Sequence, residues 1–149
     1  MKRLIVICLV LCTGLGAEAT EISIVGHGLS YHQRNQEIYN QRNVGLGMRV
    51  DLGGAALQAG SYSNSYYRTS RYLLLDVTLI GQAYGHNMFM ETGPTVGIVS
   101  GYPGHELLAG LGWHGSLRWH GMHLRTRAMP SMNAGTVFSV EVGYTILRW

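Results

Sequence analysis

A polar stretch of the sequence runs from Ser61 to Ser70, where six of the ten residues are Ser, Thr or Asn. A serine hydroxyl acts as a nucleophile when a base takes its proton and a third group orients that base. Ser65, its neighbour Asn64 and the distant His27 form such a set if the strands that carry them meet at one rim. A solvated loop explains the same composition without any chemistry, so the segment alone leaves both interpretations open.

Seven histidines raise the question of a metal site. His120 and His123 lie three positions apart, which in a strand places them on opposite faces, and the six residues from His114 to His120 span about 20 Å of strand. The sequence offers no compact carboxylate cluster beside them. The segment Gly110–Gly115 matches G-x-G-x-x-G, but the residues after it continue as a strand, whereas a phosphate-binding loop opens a helix. We therefore expect no metal ion and no other cofactor.

The first nineteen residues have the three parts of a bacterial secretory signal peptide. Met1-Lys2-Arg3 is the positive start, Leu4–Leu11 is the apolar run, and Ala17-Glu18-Ala19 is the cleavage site. The apolar run is too short to span a membrane as a helix. We predict that residues 1–19 are removed on export and that residues 20–149 form one domain.

Composition excludes several classes of protein. Charged residues make up 13% of the 149-residue chain, against about 25% in soluble domains. No apolar run of about 20 residues permits a helical multi-span membrane protein. The mature chain has nine basic residues, all arginine, against seven acidic ones, and its net charge of +2 is too small to indicate nucleic acid as a partner. It has no cysteine, because Cys8 and Cys12 belong to the signal peptide, so no disulfide is expected.

Alternation of apolar and polar residues with period two predicts eight strands of about ten residues each. The apolar positions change parity at Gly121, which is interpreted as a β-bulge inside the seventh strand. The predicted strands are Glu21–Tyr31, Asn43–Asp51, Ala55–Ser63, Ser70–Ile80, Asn87–Ser100, Glu106–Trp113, Ser116–Ala128 and Thr136–Leu147.

The connections between these strands alternate in length, which is typical of an outer-membrane barrel with short periplasmic turns and longer external loops. Asp51–Ala55 and His114–Ser116 are short, whereas His32–Arg42, Asn64–Thr69 and Met129–Gly135 are longer and more polar. An even number of strands returns both termini to the periplasmic end. We therefore predict an all-β, eight-stranded antiparallel up-and-down transmembrane β-barrel with a narrow cavity, lined by small residues that include Gly45, Gly47, Gly110, Gly112 and Gly143. A soluble barrel of lipocalin type, with apolar residues inside, is the alternative.

Three segments together resemble the lipid A palmitoyltransferase family of outer-membrane barrels. The first is Ile38-Tyr39-Asn40-Gln41-Arg42 leading into the glycine-rich strand Asn43–Gly47, and the second is the loop Asn64-Ser65-Tyr66. The third is Met129-Pro130, followed by the strand entry Asn133-Ala134-Gly135-Thr136-Val137. Their order and approximate spacing extend the resemblance from about Gly26 to the C-terminus.

The resemblance implies an eight-stranded enzyme of the Gram-negative outer membrane that moves palmitate from a phospholipid to lipid A. An interior pocket would measure the acyl chain, and a His, an Asp and a Ser at the outer rim would carry the catalysis. His27 matches the histidine as general base and Ser65 matches the serine as nucleophile or oxyanion stabiliser, while Asn64 stands at the position of the aspartate. Outer-membrane phospholipid and lipid A would be the partners of a monomeric protein. Four arginines in or beside the external loops would hold lipid A phosphates bidentately or keep the rim wet: Arg34, Arg42, Arg68 and Arg71.

Three departures from the family pattern keep a second function open. Asn64 has no charge with which to stabilise an imidazolium. The amphipathic N-terminal helix of the family is absent, because the first predicted strand starts beside the cleavage site, and the loops are shorter. A non-enzymatic outer-membrane barrel that modifies the surface or binds a partner through its external loops is therefore the alternative function.

Overall fold

The computed structural model describes residues 21–34, 37–85, 87–131 and 135–149. The predicted signal peptide, residues 1–19, lies outside these ranges. The described residues include no helix long and apolar enough to cross a membrane. They form nine strands: β1 (Glu21–His32), β2 (Arg42–Asp51), β3 (Ala55–Ser63), β4 (Thr69–Val77), β5 (Ile80–Tyr84), β6 (Met88–Ser100), β7 (Leu107–Trp119), β8 (Met122–Ser131) and β9 (Gly135–Arg148).

Eight of these strands close into an antiparallel barrel. The strands β1 to β4 pair in sequence order, β1 also pairs with β9, and β9, β8, β7 and β6 follow one another around the sheet. Pairing of Tyr72–Asp76 in β4 with Thr95–Val99 in β6 closes the barrel. The short β5 is an additional strand that pairs with the first residues of β6. The predicted all-β, eight-stranded up-and-down barrel is confirmed as the fold.

The two ends of the barrel carry different connections. Glu21 of β1 lies opposite Arg148 of β9, so the barrel begins and finishes at one end, called here the terminal end. Connections of two or three residues lie at this end: 52–54, 85–87 and 120–121. The opposite end, called the loop end, carries the longer connections 33–41, 64–68 and 101–106. The predicted alternation of short and longer connections is found in part. The turn predicted at His114–Ser116 is misplaced, and the longer loop predicted at Met129–Gly135 is wrong at its start, because β8 continues through Met129 and Pro130 to Ser131.

The turn predicted at His114–Ser116 is wrong. β7 runs through these residues, and Trp119 pairs with Met122 across a two-residue turn at His120 and Gly121. Both turn residues have positive φ, 50° at His120 and 82° at Gly121, which is the geometry of the type I′ hairpin turn. The change of apolar parity at Gly121 thus marks a strand end and not a bulge.

The strand predicted at Ser70–Ile80 is also divided, because β4 ends at Val77 and β5 starts at Ile80. Opposite this break lies Gly93-Pro94 of β6, so three residues of one chain segment face two of the other. Pro94 has no N–H to donate to a ladder, and a side chain on Gly93 would collide with the Val77 carbonyl oxygen. The ladder resumes when Leu79 N donates to Thr92 O. The break is therefore a bulge enforced by a proline opposite it.

Polar side chains fill the inside of the barrel and apolar side chains cover its outside. Arg49, Asp76 and Arg125 are each exposed by 3% or less, whereas Val44 and Leu46 on the outer face are 71% and 65% exposed. This is the reverse of the lipocalin-type alternative, which needs an apolar interior. The outer apolar surface continues around the barrel through Ile24, Met48, Leu73, Val96, Leu111, Trp113, Leu124, Phe138, Val142, Tyr144 and Ile146.

Candidate functional site

A network of buried ion pairs crosses the middle of the barrel. Asp76 accepts hydrogen bonds from Arg49 at 2.5 Å and from Arg127 at 2.8 Å, and Arg127 also bonds Glu141. Gln58, which is fully buried, accepts from Arg127 at 2.9 Å and donates to Glu141 at 3.1 Å. Charged groups buried in this way are stable only when they are paired and hydrogen-bonded. The network therefore fills the lumen at this level.

A cavity of about 460 Å³ occupies the half of the barrel toward the loop end. This volume lies in the range of about 300–1,000 Å³ that is usual for small-molecule sites. Arg127 and Glu141 of the network line the cavity, as does Ser65 in the connection between β3 and β4. Apolar side chains supply much of its wall, including Leu74, Val99, Leu108, Ala109, Met129, Val137 and Val140.

Ser65 and His32 form a hydrogen-bonded pair at the loop end of this cavity. The distance from Ser65 Oγ to His32 Nε2 is 2.7 Å, which is the contact that a nucleophile and its general base require. Ser65 is 6% exposed and His32 is 2% exposed. The ring of Tyr39 stacks on His32 with centroids 4.7 Å apart, and Asn40 N donates to Ser65 O at 2.9 Å. Both side chains are thus held in place by the loop that follows β1.

A bulge in β1 explains why His32 faces the cavity. The inward residues of β1 are Ser23 and Val25 before the irregularity and Ser30 and His32 after it, and the register with both neighbouring strands shifts between His27 and Leu29. Without that extra residue, positions 27 and 32 would lie on opposite faces. Sequence reasoning missed His32, although the outward apolar positions change parity, from Ile24 to Leu29 and Tyr31, around the Gly-His-Gly segment.

His27 has other partners than the predicted ones. His27 Nε2 lies 2.6 Å from Tyr72 Oη, and His27 Nδ1 lies 3.2 Å from Glu141 Oε1. Gln58 Nε2 also donates to Tyr72 Oη, at 3.2 Å. His27 and Ser65 therefore line the same cavity, but the hydrogen bond to Ser65 comes from His32. The carboxylate expected beside the predicted base is present, and it is Glu141.

Asn64 directly precedes Ser65 and holds the loop together. Its Oδ1 accepts hydrogen bonds from the backbone N–H groups of Tyr66 and Arg68, at 2.9 and 3.0 Å, as an Asx turn requires. Its Nδ2 donates to Ser70 Oγ at 3.0 Å and to Gly101 O at 2.9 Å. Both the oxygen and the nitrogen of the amide are therefore hydrogen-bonded, and the side chain is 0% exposed. Asn64 thus fixes the position of Ser65, and these bonds of its amide involve neither His27 nor His32.

Tyrosines from three connections line the cavity together with Ser65. Tyr66 meets Tyr39 and Tyr102 edge-on, with centroids 5.5 and 5.9 Å apart, and Tyr62 Oη lies 3.2 Å from Tyr102 Oη. The side-chain hydrogen bond with Tyr39 and partial burial raise the pKa of Tyr66. The Tyr66 hydroxyl therefore stays protonated at neutral pH.

The four arginines predicted to contact lipid phosphates are all exposed and all lie at the loop end. Arg34 follows β1, Arg42 begins β2, Arg68 lies in the β3–β4 connection and Arg71 lies near the start of β4. Their side chains are therefore available to anions outside the barrel wall. Within the described ranges, no three His, Cys, Asp or Glu side chains are grouped as a metal site.

The wall beside the cavity has an interrupted seam between β7 and β8. Their ladder starts at Trp113–Ala128 and runs to the terminal end, and beyond it toward the loop end no pair joins the described residues of the two strands. Pro130 of β8, which has no N–H, lies in this stretch, and Met129 packs close to Gly110. Residues on both sides of the seam line the cavity.

The chain was compared with protein-family models and with curated proteins. No family model matches the sequence, and no curated protein matches it significantly. Its fold and the geometry of its cavity therefore have to carry the functional argument.

Proposed function

We propose that this protein is an outer-membrane acyltransferase that moves a fatty acyl chain from a phospholipid to lipid A. The observation that carries the proposal is the Ser65–His32 hydrogen bond of 2.7 Å at the loop end of a cavity with apolar walls. A serine paired with a base performs acyl transfer through an acyl-serine intermediate. The choice of phospholipid as donor and lipid A as acceptor comes from the resemblance to the lipid A palmitoyltransferase family. That resemblance rests on the order and spacing of three segments: Tyr39–Gly47, Asn64–Tyr66 and Met129–Val137.

The outside of the barrel supports a location in the outer membrane. Strands that are polar toward the lumen and apolar outward are characteristic of barrels that span a bilayer. Val44, Leu46 and Leu111 are more than 60% exposed on the outer face, an arrangement that is unfavourable in water and favourable against lipid tails. In this placement, the loop end with Ser65 and the four exposed arginines faces the cell exterior, where lipid A resides.

The chemistry needs only residues of this chain and the two lipids. His32 Nε2 takes the proton of Ser65 Oγ as that oxygen attacks the carbonyl carbon of the donor ester. The bond to the glycerol oxygen breaks, and that oxygen leaves with the proton as lysophospholipid. A hydroxyl of the acceptor then attacks the acyl-serine, passes its proton to His32 and restores the Ser65 hydroxyl.

The seam between β7 and β8 supports lateral access of lipid to this cavity. A double-chain phospholipid cannot cross a closed ladder, because each broken backbone hydrogen bond would be left without a partner in hydrocarbon. Here the ladder is interrupted beside the cavity, and the flexible side chain of Met129 lies against Gly110 and Gly112 of β7. An acyl chain entering at the seam would reach Ser65 without passing through the polar loops.

The proposal is tested by mass spectrometry of lipid A from a Gram-negative host that lacks its own palmitoyltransferase and expresses this chain. The wild type is expected to add one acyl chain, and Ser65→Ala and His32→Ala are expected to abolish the addition. Since loss of a general base lowers rates by about 10²–10⁴-fold, no product should be visible in His32→Ala. Ser61→Ala, at an exposed position on β3, is the matched control and should behave like the wild type.

His27→Gln separates the two histidines. Because His27 bonds Tyr72 and Glu141 and not Ser65, this variant should keep most of the activity that His32→Ala loses. Unchanged lipid A in the wild type, with heat-dependent gel mobility showing a folded barrel in the membrane fraction, would reject acyl transfer and favour a non-enzymatic barrel. Recovery of the chain in the soluble periplasm would reject the location.

A further inference from the structure

The second ring nitrogen of His32 lies buried at the cavity without a hydrogen-bond partner among the described residues. His32 lines the cavity, its side chain is 2% exposed, and its Nδ1 has no acceptor within reach. When Ser65 donates its hydroxyl proton to Nε2, Nδ1 carries the other proton of the neutral ring. A serine–histidine pair normally has a carboxylate at this nitrogen, which orients the ring and stabilises the imidazolium that forms during the reaction.

No carboxylate among the described residues bonds this nitrogen. The cavity lining contains one acidic side chain, Glu141, and it is bonded to Arg127, Gln58 and His27. Asn64 stands at the position where the resembled family has its acid. Its amide is hydrogen-bonded to the loop backbone, to Ser70 and to Gly101. No acceptor for His32 Nδ1 is thus present among the described residues, and a ligand bound in the cavity could supply one.

A second buried group points to the same place. Ser30 lies two residues before His32 on the inward face of β1, and its Oγ is also buried, without a partner among the described residues, and part of the cavity lining. A hydroxyl and a ring N–H on one face are two donors that suit an anionic oxygen pair. Stacking of Tyr39 on His32 fixes the ring plane and hence the direction of its Nδ1–H.

We infer that the phosphodiester of the donor phospholipid accepts hydrogen bonds from His32 Nδ1 and Ser30 Oγ and so completes the catalytic group that the chain itself leaves incomplete. The inference rests on the proposed acyl transfer. In a glycerophospholipid only a few bonds separate the reacting ester from the phosphate, so one molecule presents its carbonyl to Ser65 and its phosphate to the far side of the His32 ring. The anion then stabilises the imidazolium while Nε2 holds the Ser65 proton.

The consequence is a requirement for phosphate in the donor. A diacylglycerol with the same acyl chains offers the ester without the anion, and loss of the orienting group of a triad lowers kcat by up to about 10⁴-fold. We expect purified protein in detergent micelles to use the diacylglycerol at least 100-fold less efficiently, in kcat/KM, than phosphatidylglycerol or phosphatidylethanolamine, with lipid A present in every assay. Equal use of both donors would overturn the inference.

Ser30→Asp provides the missing carboxylate from the protein. This variant should use diacylglycerol at least tenfold better than the wild type, and its preference for phospholipid should shrink accordingly. Ser30→Asn has the same size without the charge and should keep the preference. A preference that is equal in Ser30→Asp and Ser30→Asn would contradict the assigned position of the phosphate.

A binding measurement separates this inference from the proposed function. In Ser65→Ala, which transfers nothing, the pKa of His32 is followed by NMR during titration with a short-chain phosphatidylglycerol, the matching diacylglycerol or inorganic phosphate alone. A neighbouring anion favours the imidazolium, so phosphatidylglycerol should raise the pKa of His32 and diacylglycerol should not. An equal rise with inorganic phosphate would assign the site to a free anion, and no rise with any of them would overturn the inference. Failure of the wild type to use any donor would reject the acyl transfer alone.

Discussion

Replacing Asp76 by asparagine removes one negative charge from the middle of the barrel with hardly any change in size. Asp76 is 1% exposed and bonds Arg49 at 2.5 Å, Arg127 at 2.8 Å and Thr95 at 2.6 Å. Removing one partner of a buried ion pair destabilises a protein by about 3–5 kcal/mol. Arg49 keeps a contact with Glu91 at 3.5 Å, and Arg127 keeps Glu141. We therefore expect a loss at the lower end of that range, about 3 kcal/mol.

The assay is urea unfolding of the refolded barrel in detergent micelles, followed through the fluorescence of its three tryptophans. The midpoint should fall without a change of slope if the barrel itself is intact. Glu106→Gln is the matched control, because Glu106 is exposed at the loop end and surface substitutions usually change stability by no more than about 0.5 kcal/mol.

A double-mutant cycle decides whether charge is the cause. Asp76→Asn together with Arg49→Met removes both charges of one ion pair, and substitutions at residues that share a salt-bridge network usually do not add. The double variant should therefore be less destabilised than the sum of the two single variants. A loss of under 1 kcal/mol in Asp76→Asn, or simple additivity in the cycle, would refute the description of the lumen as a coupled ion-pair network.

Two further predictions concern the barrel wall. Gly47→Ala should lower the free energy of unfolding by about 2–3 kcal/mol, because the new methyl group would lie 2.7 Å from the Ala59 carbonyl oxygen and would also collide with the Tyr72 hydroxyl. Gly121→Ala strains only a residue with φ of 82° and should lower it by about 1 kcal/mol. A larger loss in Gly121→Ala than in Gly47→Ala, measured by urea titration, would contradict the packing described. Trp113 and Trp119 are 48% and 56% exposed on the outside, so lipids brominated in their acyl chains should quench their fluorescence in vesicles, and quenching no stronger than that by an aqueous quencher would contradict membrane insertion.

The strands were largely predictable from sequence because one face of each is apolar and the other polar. A period of two in Val44, Leu46 and Met48 follows directly from an outer face that stays apolar along the whole strand. The errors arose where one signal has two physical causes. A parity change accompanies both a bulge and a turn, and at Gly121 the turn begins on a histidine, a residue less usual than asparagine or glycine at positive φ.

The candidate site was predictable in part. Asn64 and Ser65 lie in the loop after β3, as predicted, because the polar segment that follows this strand is placed in a connection at the barrel end. The histidine that bonds Ser65 could not be predicted, because the bulge between His27 and Leu29 turns His32 toward the lumen. Glu141 could not be assigned to His27 from sequence, because β1 and β9 are neighbours only once the barrel closes.

We propose above that Ser65 is a nucleophile activated by His32. The most direct test of this proposal is incubation of the purified barrel with an alkyl fluorophosphonate, which reacts with activated serines, followed by mass spectrometry of the peptides. The structure predicts one modified serine, Ser65, with labelling lost in His32→Ala and retained in His27→Gln. An unlabelled Ser65 in the folded protein, or labelling that survives the loss of His32, would contradict the account.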